Sequence, residues 1–505
     1  MINSFLSTKI RENFAFPPTD EQSEAINLMG EFLMSRRGME LFLLRGYAGT
    51  GKTTLVGALV RTLAQLRQPV VLMAPTGRAA KVFSSYSGFP AYTIHKRIYR
   101  QKSITDDSSF SLNVNLSKHT LFIVDEASMI SNEGLSSVFG TGRLLDDLVQ
   151  YVYSGEGCRL MLMGDTAQLP PVGEEESPAL SPPLLSAYGL EIFETTLTQV
   201  MRQLSQSGIL YNATMVRCRL LELQNEFNPS LSQSSVFSFR FPDVVRIAGS
   251  ELVDSLSTSY SRWGTDECMV ICRSNKRANI YNLGIRNMIL DREDELNTGD
   301  RLMIVKNNYY WIEKELREAK REEGTGKSEE LGVGRPDGNA SLSPLPSSPP
   351  LSFIANGDIA VVRRVRRTRE LYGFRFADVL LTFPDYDDYE LEATILLDTL
   401  HSESPALTRE ESDRLFEGVM EDYAHVAQKK ERYKLLREDP HFNALQVKYA
   451  YAVTCHKAQG GQWSCVYLDQ GYLPPDASTI DYYRWLYTAF TRATEQIYLV
   501  NWPEQ

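Results

Sequence analysis

A glycine-rich loop near the N-terminus has the spacing of a nucleotide phosphate site. It reads Gly-Tyr-Ala-Gly-Thr-Gly-Lys-Thr, a complete G-x-x-x-x-G-K-T pattern, between the strand-like run Leu41–Leu44 and the helix-like run Leu55–Leu66. Glycines let backbone N–H groups turn toward phosphate oxygens at a helix start, where the helix dipole also favours negative charge. We expect Lys52 to reach the β and γ phosphates and Thr53 to bind Mg²⁺. The nucleotide-binding residues predicted here are Gly46, Ala48, Gly49, Thr50, Gly51, Lys52, Thr53 and Thr54.

A second glycine-rich string, Gly324 to Ser328, lacks this context. It reads Gly-Thr-Gly-Lys-Ser, but the first glycine of the full pattern would fall at Arg321. The charged run Glu313–Glu323 precedes it, so no strand leads into it. We interpret this string as linker.

Two acidic side chains, Asp125 and Glu126, end the apolar run that starts at Leu121. The first carboxylate can bind Mg²⁺, and the second can accept a proton from an attacking water. A further apolar run leads into Gly164-Asp-Thr-Ala-Gln-Leu-Pro-Pro, where Gln168 can orient that water or contact the γ-phosphate. The alternative for Gln168 is a turn residue that caps the backbone.

Composition narrows the class of protein. The chain has 505 residues and a net charge of −11, which argues against coating nucleic acid by bulk electrostatics but leaves room for a local basic channel. The chain contains no apolar run near the roughly 20 residues that span a bilayer. Its six cysteines form no C-x-x-C pair, so neither a disulfide framework nor a zinc site is indicated. We expect a soluble, cytoplasmic protein with reduced thiols and no membrane partner.

Short apolar runs fall into two sets. Strand-like runs separated by helix-like segments predict a parallel α/β sheet, and in the first set they are Leu41–Leu44, Val70–Ala74, Leu121–Val124 and Arg159–Met163. A second set, after about residue 200, predicts another sheet without a phosphate loop: Met269–Cys272, Val447–Val453, Cys465–Leu468 and Ile497–Val500.

An inserted domain interrupts the second set between about Asn297 and Pro440. Alternating runs predict antiparallel strands of a small barrel, at Arg301–Val305, Ile359–Val365 and Phe374–Phe383. A flexible linker is predicted over 313–352, because Arg335–Ser352 has five prolines and five serines in eighteen residues. A helix is predicted over 408–438, beginning with a Thr408/Glu411 capping box and ending at Asp439-Pro440.

Further segments follow one another in a fixed order: Ala74–Lys81, Thr93–Lys96, Val124–Ser128, Gly164–Pro171, Val200–Gln203, Tyr451–Gly461 and Tyr487–Ala493. Together with Gln22 and the phosphate loop, this series resembles the motifs of superfamily 1B DNA helicases of the RecD-like and Dda-like type. The resemblance implies an α/β fold of two RecA-like P-loop NTPase domains with a small β-barrel-containing insertion in the second. It also implies that ATP binds between the two domains and that the enzyme moves 5′-to-3′ along single-stranded DNA.

The implied domain boundaries are residues 1–198 for the first RecA-like domain, 199–296 with 441–505 for the second, and 297–440 for the insertion. A short hairpin within 98–118 is expected to separate strands. Its turn would fall at Asp106–Ser109, with Phe110 beside the turn as a DNA-binding residue, although a plain surface loop is the alternative.

The resemblance also implies site residues. Gln22 would bind the adenine edge, and Gly461 would lie against the nucleotide, although Gln462 stands where the family often has an acidic residue that meets the ribose. Arg202 and Arg492 would reach the γ-phosphate. The alternatives are an exposed glutamine that begins a helix and an arginine near the end of the helix Tyr482–Ala493. The residues placed along a DNA-binding groove are Thr76, His95, Lys96, Thr454 and His456.

We therefore predict an ATP- and Mg²⁺-dependent DNA helicase, acting in repair, recombination or replication. Its partners would be single-stranded DNA and 5′-tailed duplex DNA, and the chain would act as a monomer; the sequence does not indicate whether the insertion has a protein partner. Two alternatives stay open: an RNA-remodelling ATPase of the same superfamily, and a nucleic-acid-binding subunit of a larger exonuclease or recombination complex.

Overall fold

A computed structural model describes residues 2–14, 16–35, 37–101, 110–134, 140–200, 207–224, 237–323, 354–472 and 479–502. These residues form two parallel sheets, a closed barrel and a small antiparallel strand pair. The predicted fold class is thereby confirmed. Within these ranges, no helix combines the length and the apolar character that crossing a bilayer requires.

The first domain contains a six-stranded parallel sheet with helices on both faces. Its elements are α1 (Ile2–Glu12), α2 (Asp20–Met34), β1 (Glu40–Gly46), α3 (Lys52–Gln65), β2 (Val70–Ala74), α4 (Gly77–Ser87), β3 (Ala91–Thr93), α5 (Ile94–Ile98), β4 (Tyr99–Gln101), β5 (Phe110–Leu112), β6 (Leu121–Val124), α6 (Leu144–Tyr153), β7 (Arg159–Gly164), α7 (Pro182–Ser186) and β8 (Glu191–Leu197). The strand order is β3-β2-β6-β7-β1-β8. Apolar side chains fill a separate core on each face of the sheet, as expected for a parallel sheet covered on both sides.

The second domain begins with α8 (Gly208–Gln224), β9 (Val244–Ile247), α9 (Leu252–Trp263), β10 (Cys268–Cys272) and α10 (Asn275–Met288). The chain then enters the insertion, which contains β11 (Arg301–Ile304), α11 (Tyr310–Glu323), β12 (Ile359–Leu371), β13 (Phe374–Phe383), β14 (Tyr389–Leu396), α12 (Asp398–His401), α13 (Arg409–Asp422), α14 (Lys429–Arg437) and β15 (Leu445–Tyr449). Strands β11 to β15 close into a barrel.

The chain returns to the second domain through β16 (Ala452–Thr454), α15 (Cys455–Ala458), β17 (Trp463–Asp469), α16 (Ile480–Phe490) and β18 (Ala493–Val500). The resulting five-stranded parallel sheet has the order β16-β10-β17-β18-β9. One apolar core joins this sheet to the barrel, since side chains of β10 and β17 belong to the same cluster as those of β11 and β15.

The predicted strand Val447–Val453 is wrong. The structure has two strands there, and β15 belongs to the barrel whereas β16 belongs to the second sheet. The buried Asn282 side chain causes the break, because its amide oxygen accepts hydrogen bonds from the N–H groups of Tyr451 and Ala452 at 3.0 and 2.8 Å. The insertion therefore extends to residue 449, beyond its predicted end at 440.

Two other predictions in the insertion need correction. The helix predicted over 408–438 is two helices, α13 and α14, because turn hydrogen bonds such as Ala424 N–H to Glu421 O replace helical ones after Asp422. The predicted Thr408/Glu411 capping box is present. The linker predicted to start at 313 is helical as far as Glu323, because Trp311 and Ile312 are buried against the barrel core. Gly324–Ser328 and Arg335–Ser352 lie outside the described residues.

The region of the predicted hairpin contains an antiparallel strand pair. β4 and β5 pair with Tyr99 opposite Leu112 and Gln101 opposite Phe110. The residues that connect the two strands, 102–109, lie outside the described part of the chain, as does the side chain of Phe110.

A buried charge cluster fastens the insertion to the second domain. The Asp300 carboxylate, just before β11, accepts hydrogen bonds from Arg286 Nε and Nη2 at 3.0 and 2.9 Å and from Arg292 Nη1 at 2.8 Å. The Asn297 N–H and the Tyr451 hydroxyl also donate to it, at 2.7 and 3.2 Å. Arg286 and Asp300 are 2% and 0% exposed, so neither charge has water as a substitute partner.

We predict that Arg286→Met lowers the free energy of unfolding by about 3–5 kcal/mol, because it leaves the Asp300 carboxylate buried with fewer donors. Urea unfolding followed by tryptophan fluorescence measures the change. Arg366→Met is the matched control: Arg366 forms an exposed pair with Glu392 on the barrel, and its loss should cost less than about 1 kcal/mol. Equal effects of the two substitutions would contradict a central role for the buried cluster.

Candidate functional site

The phosphate loop, Gly46–Thr53, connects β1 to α3 and has the backbone of a phosphate cradle. Gly49 and Gly51 have φ angles of 76° and 82°, in the left-handed region that favours glycine. Helix α3 begins at Lys52, and among the described residues no side chain caps its N-terminus. Its first N–H groups are therefore available for phosphate oxygens. The Lys52 ammonium donates to the carbonyl oxygens of Gly46 and Tyr47, at 2.6 and 3.0 Å, and so lies along the loop.

The predicted Mg²⁺ ligands Thr53 and Asp125 lie close together. The Tyr86 hydroxyl donates to Asp125 Oδ2, and the Thr53 side chain is among the groups that influence the pKa of Tyr86. Both side chains therefore lie near the Tyr86 hydroxyl, and a hydroxyl with a carboxylate is a ligand pair that suits Mg²⁺. Burial, and then the neighbouring Glu126 charge, raise the pKa of Asp125 to about 7. Sequence reasoning missed Tyr86, because nothing in its helix marks which side chain reaches the site.

Glu126 is held in an unusual backbone conformation. Its φ is 51°, a region that non-glycine residues rarely occupy, and its N–H donates to Asp125 Oδ1 at 2.7 Å. The strain turns the chain sharply at the end of β6, so that the two neighbouring carboxylates occupy the same edge of the sheet. Such an arrangement allows one carboxylate to bind a cation and the other to accept a proton.

Gln168 lies in the loop that follows β7, at the same edge of the sheet. The residue is only 7% exposed, and its side-chain Oε1 is buried. This oxygen has no hydrogen-bond partner among the described residues. A buried acceptor without a donor is costly, so a group that enters the site would supply that donor. This observation does not favour the alternative in which the amide oxygen of Gln168 caps a turn.

Of the two arginines predicted to reach the γ-phosphate, only Arg492 belongs to the described part of the chain. Arg202 lies outside the described residues. Arg492 follows α16 rather than lying within the predicted helix Tyr482–Ala493, and it is 3% exposed. Its guanidinium donates to the carbonyl oxygens of Thr488 and Gly461 at 3.0 and 3.1 Å. These bonds match the structural alternative, a cation at a helix C-terminus. Contact with a γ-phosphate stays a prediction that requires the side chain to change partners.

Gln22 is buried rather than exposed. It forms a capping box with Thr19 at the start of α2, and its Nε2 donates to the Thr50 carbonyl oxygen of the phosphate loop at 3.0 Å. The side chain therefore lies at the rim of the cradle. Contact with adenine stays a prediction.

A cavity of about 370 Å³ lies between the first domain and the barrel. Predicted DNA-binding residues Thr76 and His95 line it, together with Tyr99 from the first domain and Asn307 and Asn356 from the barrel. Burial lowers the pKa of His95 to about 4, so this imidazole is neutral at pH 7. Beside the acidic Glu133, the cavity thus offers neutral polar and aromatic groups, the kinds that bind nucleobases.

A lysine, Lys96, directly follows the cavity residue His95. Burial lowers the pKa of Lys96 to about 8, a value that still leaves most of the ammonium charged at neutral pH. Elsewhere in the chain, burial also lowers the pKa values of Lys448 in β15 and Lys457 in α15 to about 8. Lys457 directly follows His456, which is exposed, and Thr454 is the N-cap residue before the same helix.

Helix α4 touches all three structural units. Its N-terminal Thr76 caps the helix by accepting from Ala79 N–H at 3.2 Å. Arg78 donates to the Gln462 carbonyl oxygen of the second domain at 2.9 Å, and Lys81 donates to Asp385 of the insertion at 2.8 Å. Gly77 is required there, because a Cβ atom would lie 2.3 Å from Asp358 Oδ1 of the insertion.

Two families match parts of the chain. The family described as an AAA domain matches residues 18–215, and the family described as a UvrD-like helicase C-terminal domain matches residues 449–500. The first match covers the domain with the phosphate loop. The second covers β16 to β18 and therefore includes Thr454, Gly461 and Arg492.

Several proteins resemble the chain in sequence. An uncharacterized protein of Acanthamoeba polyphaga mimivirus is 23% identical over 94% of this chain and 98% of its own length. The ATP-dependent RecD2 DNA helicase of Deinococcus radiodurans is 31% identical over 35% of this chain, and the ATP-dependent DNA helicase dda of Enterobacteria phage T4 is 28% identical over 39%. The matched segments are 21% and 42% of those two helicases.

Among solved structures, a Pif1 helicase from Bacteroides aligns over 97% of this chain and 94% of its own, with 14% identity and a TM-score of 0.43. The RecD-like and Dda-like sequence matches fall on a chain that has the motifs in their expected order on two parallel sheets. In its motifs and in these matches, the chain is similar to the superfamily 1B helicases of the RecD-like and Dda-like type.

Proposed function

We propose that this chain is an ATP-dependent helicase that moves 5′-to-3′ on single-stranded DNA and unwinds the duplex ahead of it. One observation supports this most directly. The second domain contacts the phosphate loop, through Tyr487 on Ala48, and also contacts helix α4 of the groove, through Gln462 on Arg78. A movement of the second domain that follows ATP hydrolysis would therefore reach the groove as well.

The residues of the first domain would bind the phosphates and Mg²⁺ and activate the attacking water. Lys52 would leave the loop carbonyls and bind the terminal phosphates, while Thr53 and Asp125 would hold Mg²⁺. When bound, Mg²⁺ neutralises charge on the β and γ phosphate oxygens. Glu126 would accept a proton from the attacking water, and Gln168 would orient that water.

The second domain would complete the site. Arg202 and Arg492 would place positive charge beside the γ-phosphate as negative charge develops in the transition state. For Arg492 this requires exchange of its bonds to Thr488 and Gly461, both in its own domain, for bonds to phosphate. Closure of the cleft would make the exchange favourable, because phosphate is the stronger acceptor.

Nucleic acid would occupy the groove that Thr76, His95, Lys96, Thr454 and His456 border. Single-stranded DNA binds such grooves through stacked bases and backbone phosphates with little sequence preference. The strand pair β4–β5 would separate the duplex at the groove entrance. We further propose that the chain works as a monomer on 5′-tailed duplexes in repair, recombination or replication.

We predict unwinding of a duplex with a 5′ single-stranded tail and little unwinding of the same duplex with a 3′ tail. ATP turnover should rise at least tenfold on addition of single-stranded DNA. A strand-displacement assay on the two tailed duplexes, with matched DNA and RNA oligonucleotides in the ATPase assay, measures both. Stronger stimulation by RNA would favour the RNA-remodelling alternative, and turnover that ignores nucleic acid would refute the helicase proposal.

We predict that Arg492→Ala binds ATP with nearly unchanged affinity but hydrolyses it about a thousandfold more slowly, because a transition-state contact is lost. Fluorescent-nucleotide binding and steady-state phosphate release separate the two effects. Arg492→Lys should recover part of the rate. The control is Arg262→Ala, which removes an arginine from α9 that packs on Trp263. Near-normal turnover in Arg492→Ala would remove this arginine from the mechanism.

We predict that Lys96→Ala weakens binding of single-stranded DNA about equally for different sequences, since the ammonium would contact phosphate. The slope of log Kd against log salt concentration should fall by about 0.7 for the lost contact. Fluorescence anisotropy at several salt concentrations measures it. Lys118→Ala, at an exposed lysine paired with Glu156, should leave the slope unchanged. An unchanged slope in Lys96→Ala would place Lys96 outside the interface.

A further inference from the structure

The hydroxyl of Tyr487 joins three separate segments of the chain. Tyr487 belongs to α16 of the second domain and is 1% exposed. Its hydroxyl donates to Asp165 Oδ2 at 2.6 Å and accepts a hydrogen bond from the Ala48 N–H of the phosphate loop at 2.8 Å. One buried oxygen atom therefore links the second domain to the phosphate loop and to the loop that follows β7.

That second loop, residues 165–169, is held by the second domain on both sides of Gln168. Before Gln168, the Asp165 carboxylate binds the Tyr487 hydroxyl and also accepts from Ala167 N–H at 2.9 Å. After Gln168, the Leu169 N–H donates to Thr488 Oγ1 at 2.9 Å, and the Leu169 carbonyl oxygen accepts from Gln459 Nε2 at 2.7 Å. The position of Gln168 relative to the phosphates thus depends on side chains of another domain.

The phosphate loop is held in a similar way. The guanidinium carbon of Arg217, on α8, lies 4.1 Å from the centre of the Tyr47 ring. At Gly49, a Cβ atom would lie 3.1 Å from a methyl group of Leu210, also on α8. Ala48, between these two positions, binds Tyr487. Three consecutive loop residues therefore contact the second domain.

We infer that Tyr487 is a positioning residue. Through its hydroxyl, the positions of the phosphate loop and of Gln168 depend on the position of the second domain relative to the first. Withdrawal of α16 would break the hydrogen bonds of the Tyr487 hydroxyl with the Ala48 N–H and with Asp165 Oδ2 at the same time, and among the described residues it would leave the Asp165 carboxylate only its bond from Ala167 N–H. Losing both hydrogen bonds together favours two discrete arrangements over a continuous range. The tyrosine thereby couples nucleotide occupancy to domain position.

The inference rests on the proposed function, because coupling is measured through DNA affinity. The first experiment compares the Kd for single-stranded DNA without nucleotide and with a non-hydrolysable ATP analogue. In Tyr487→Phe, the ratio of the two Kd values should fall at least fivefold toward one. Without DNA, kcat for ATP hydrolysis should fall about tenfold or more, while KM for ATP changes less than about threefold.

Tyr467→Phe is a matched control, since Tyr467 is also a fully buried tyrosine of the second domain. Its hydroxyl bonds with Ser255 and Ser259 inside that domain, at 2.8 and 2.7 Å. The control should keep the wild-type Kd ratio and kcat. A purely structural role for Tyr487 predicts that the two variants behave alike, and that result would overturn the inference.

Asp165→Asn provides a second route to the same answer if Tyr487→Phe folds poorly. This substitution removes the carboxylate charge of the group that accepts the hydrogen bond from the Tyr487 hydroxyl. It should lower the Kd ratio and kcat as Tyr487→Phe does. The double variant should be little worse than either single variant, because both substitutions disrupt the same interaction. Additive losses would overturn the inference.

The same data separate failure of the inference from failure of the proposed function. Wild-type protein whose DNA affinity ignored nucleotide would contradict the proposed function. The kcat of Tyr487→Phe relative to Tyr467→Phe would then decide the inference alone. A tenfold difference would support it, and equal rates would overturn it.

Discussion

The parallel pairing of β7 with both β1 and β6 is the constraint on which the site depends. Parallel strands end at the same edge of a sheet, so three loops with different chemistry meet there. β1 supplies the phosphate loop, β6 supplies adjacent carboxylates and β7 supplies Gln168. No single loop could cradle phosphate, bind a cation and orient water, whereas neighbouring strand ends allow each loop to keep the backbone its own task requires.

The net charge of this protein does not describe the charge around individual side chains. A net charge of −11 coexists with partly desolvated lysines, among them Lys96, Lys448 and Lys457, whose lowered pKa values reflect removal from water. Positive charge in a partly desolvated site interacts more strongly with a phosphate than the same charge on an open surface.

The features that the sequence predicted correctly are those that depend on residues close together in the chain. The phosphate loop, the strand Val70–Ala74 and the Thr408 cap follow from residue spacing, and the structure contains all three. The break between β15 and β16 depends on Asn282, about 170 residues earlier in the chain, and no local pattern could reveal it. The roles of Tyr86 and Tyr487 are hidden from local sequence for the same reason, because no local pattern shows which distant group a tyrosine hydroxyl contacts.

The insertion is tied to the second domain at both of its chain connections. The Asp300 cluster locks the entry to β11, Asn282 fixes the exit from β15, and one apolar core fills the space between. The barrel and the second sheet should accordingly move as one rigid body. The cavity between Thr76 and Asn307 has one wall on each moving part. The width of the cavity then depends on the angle between the first domain and this rigid body. The affinity of the cavity for a nucleobase would therefore change with that angle.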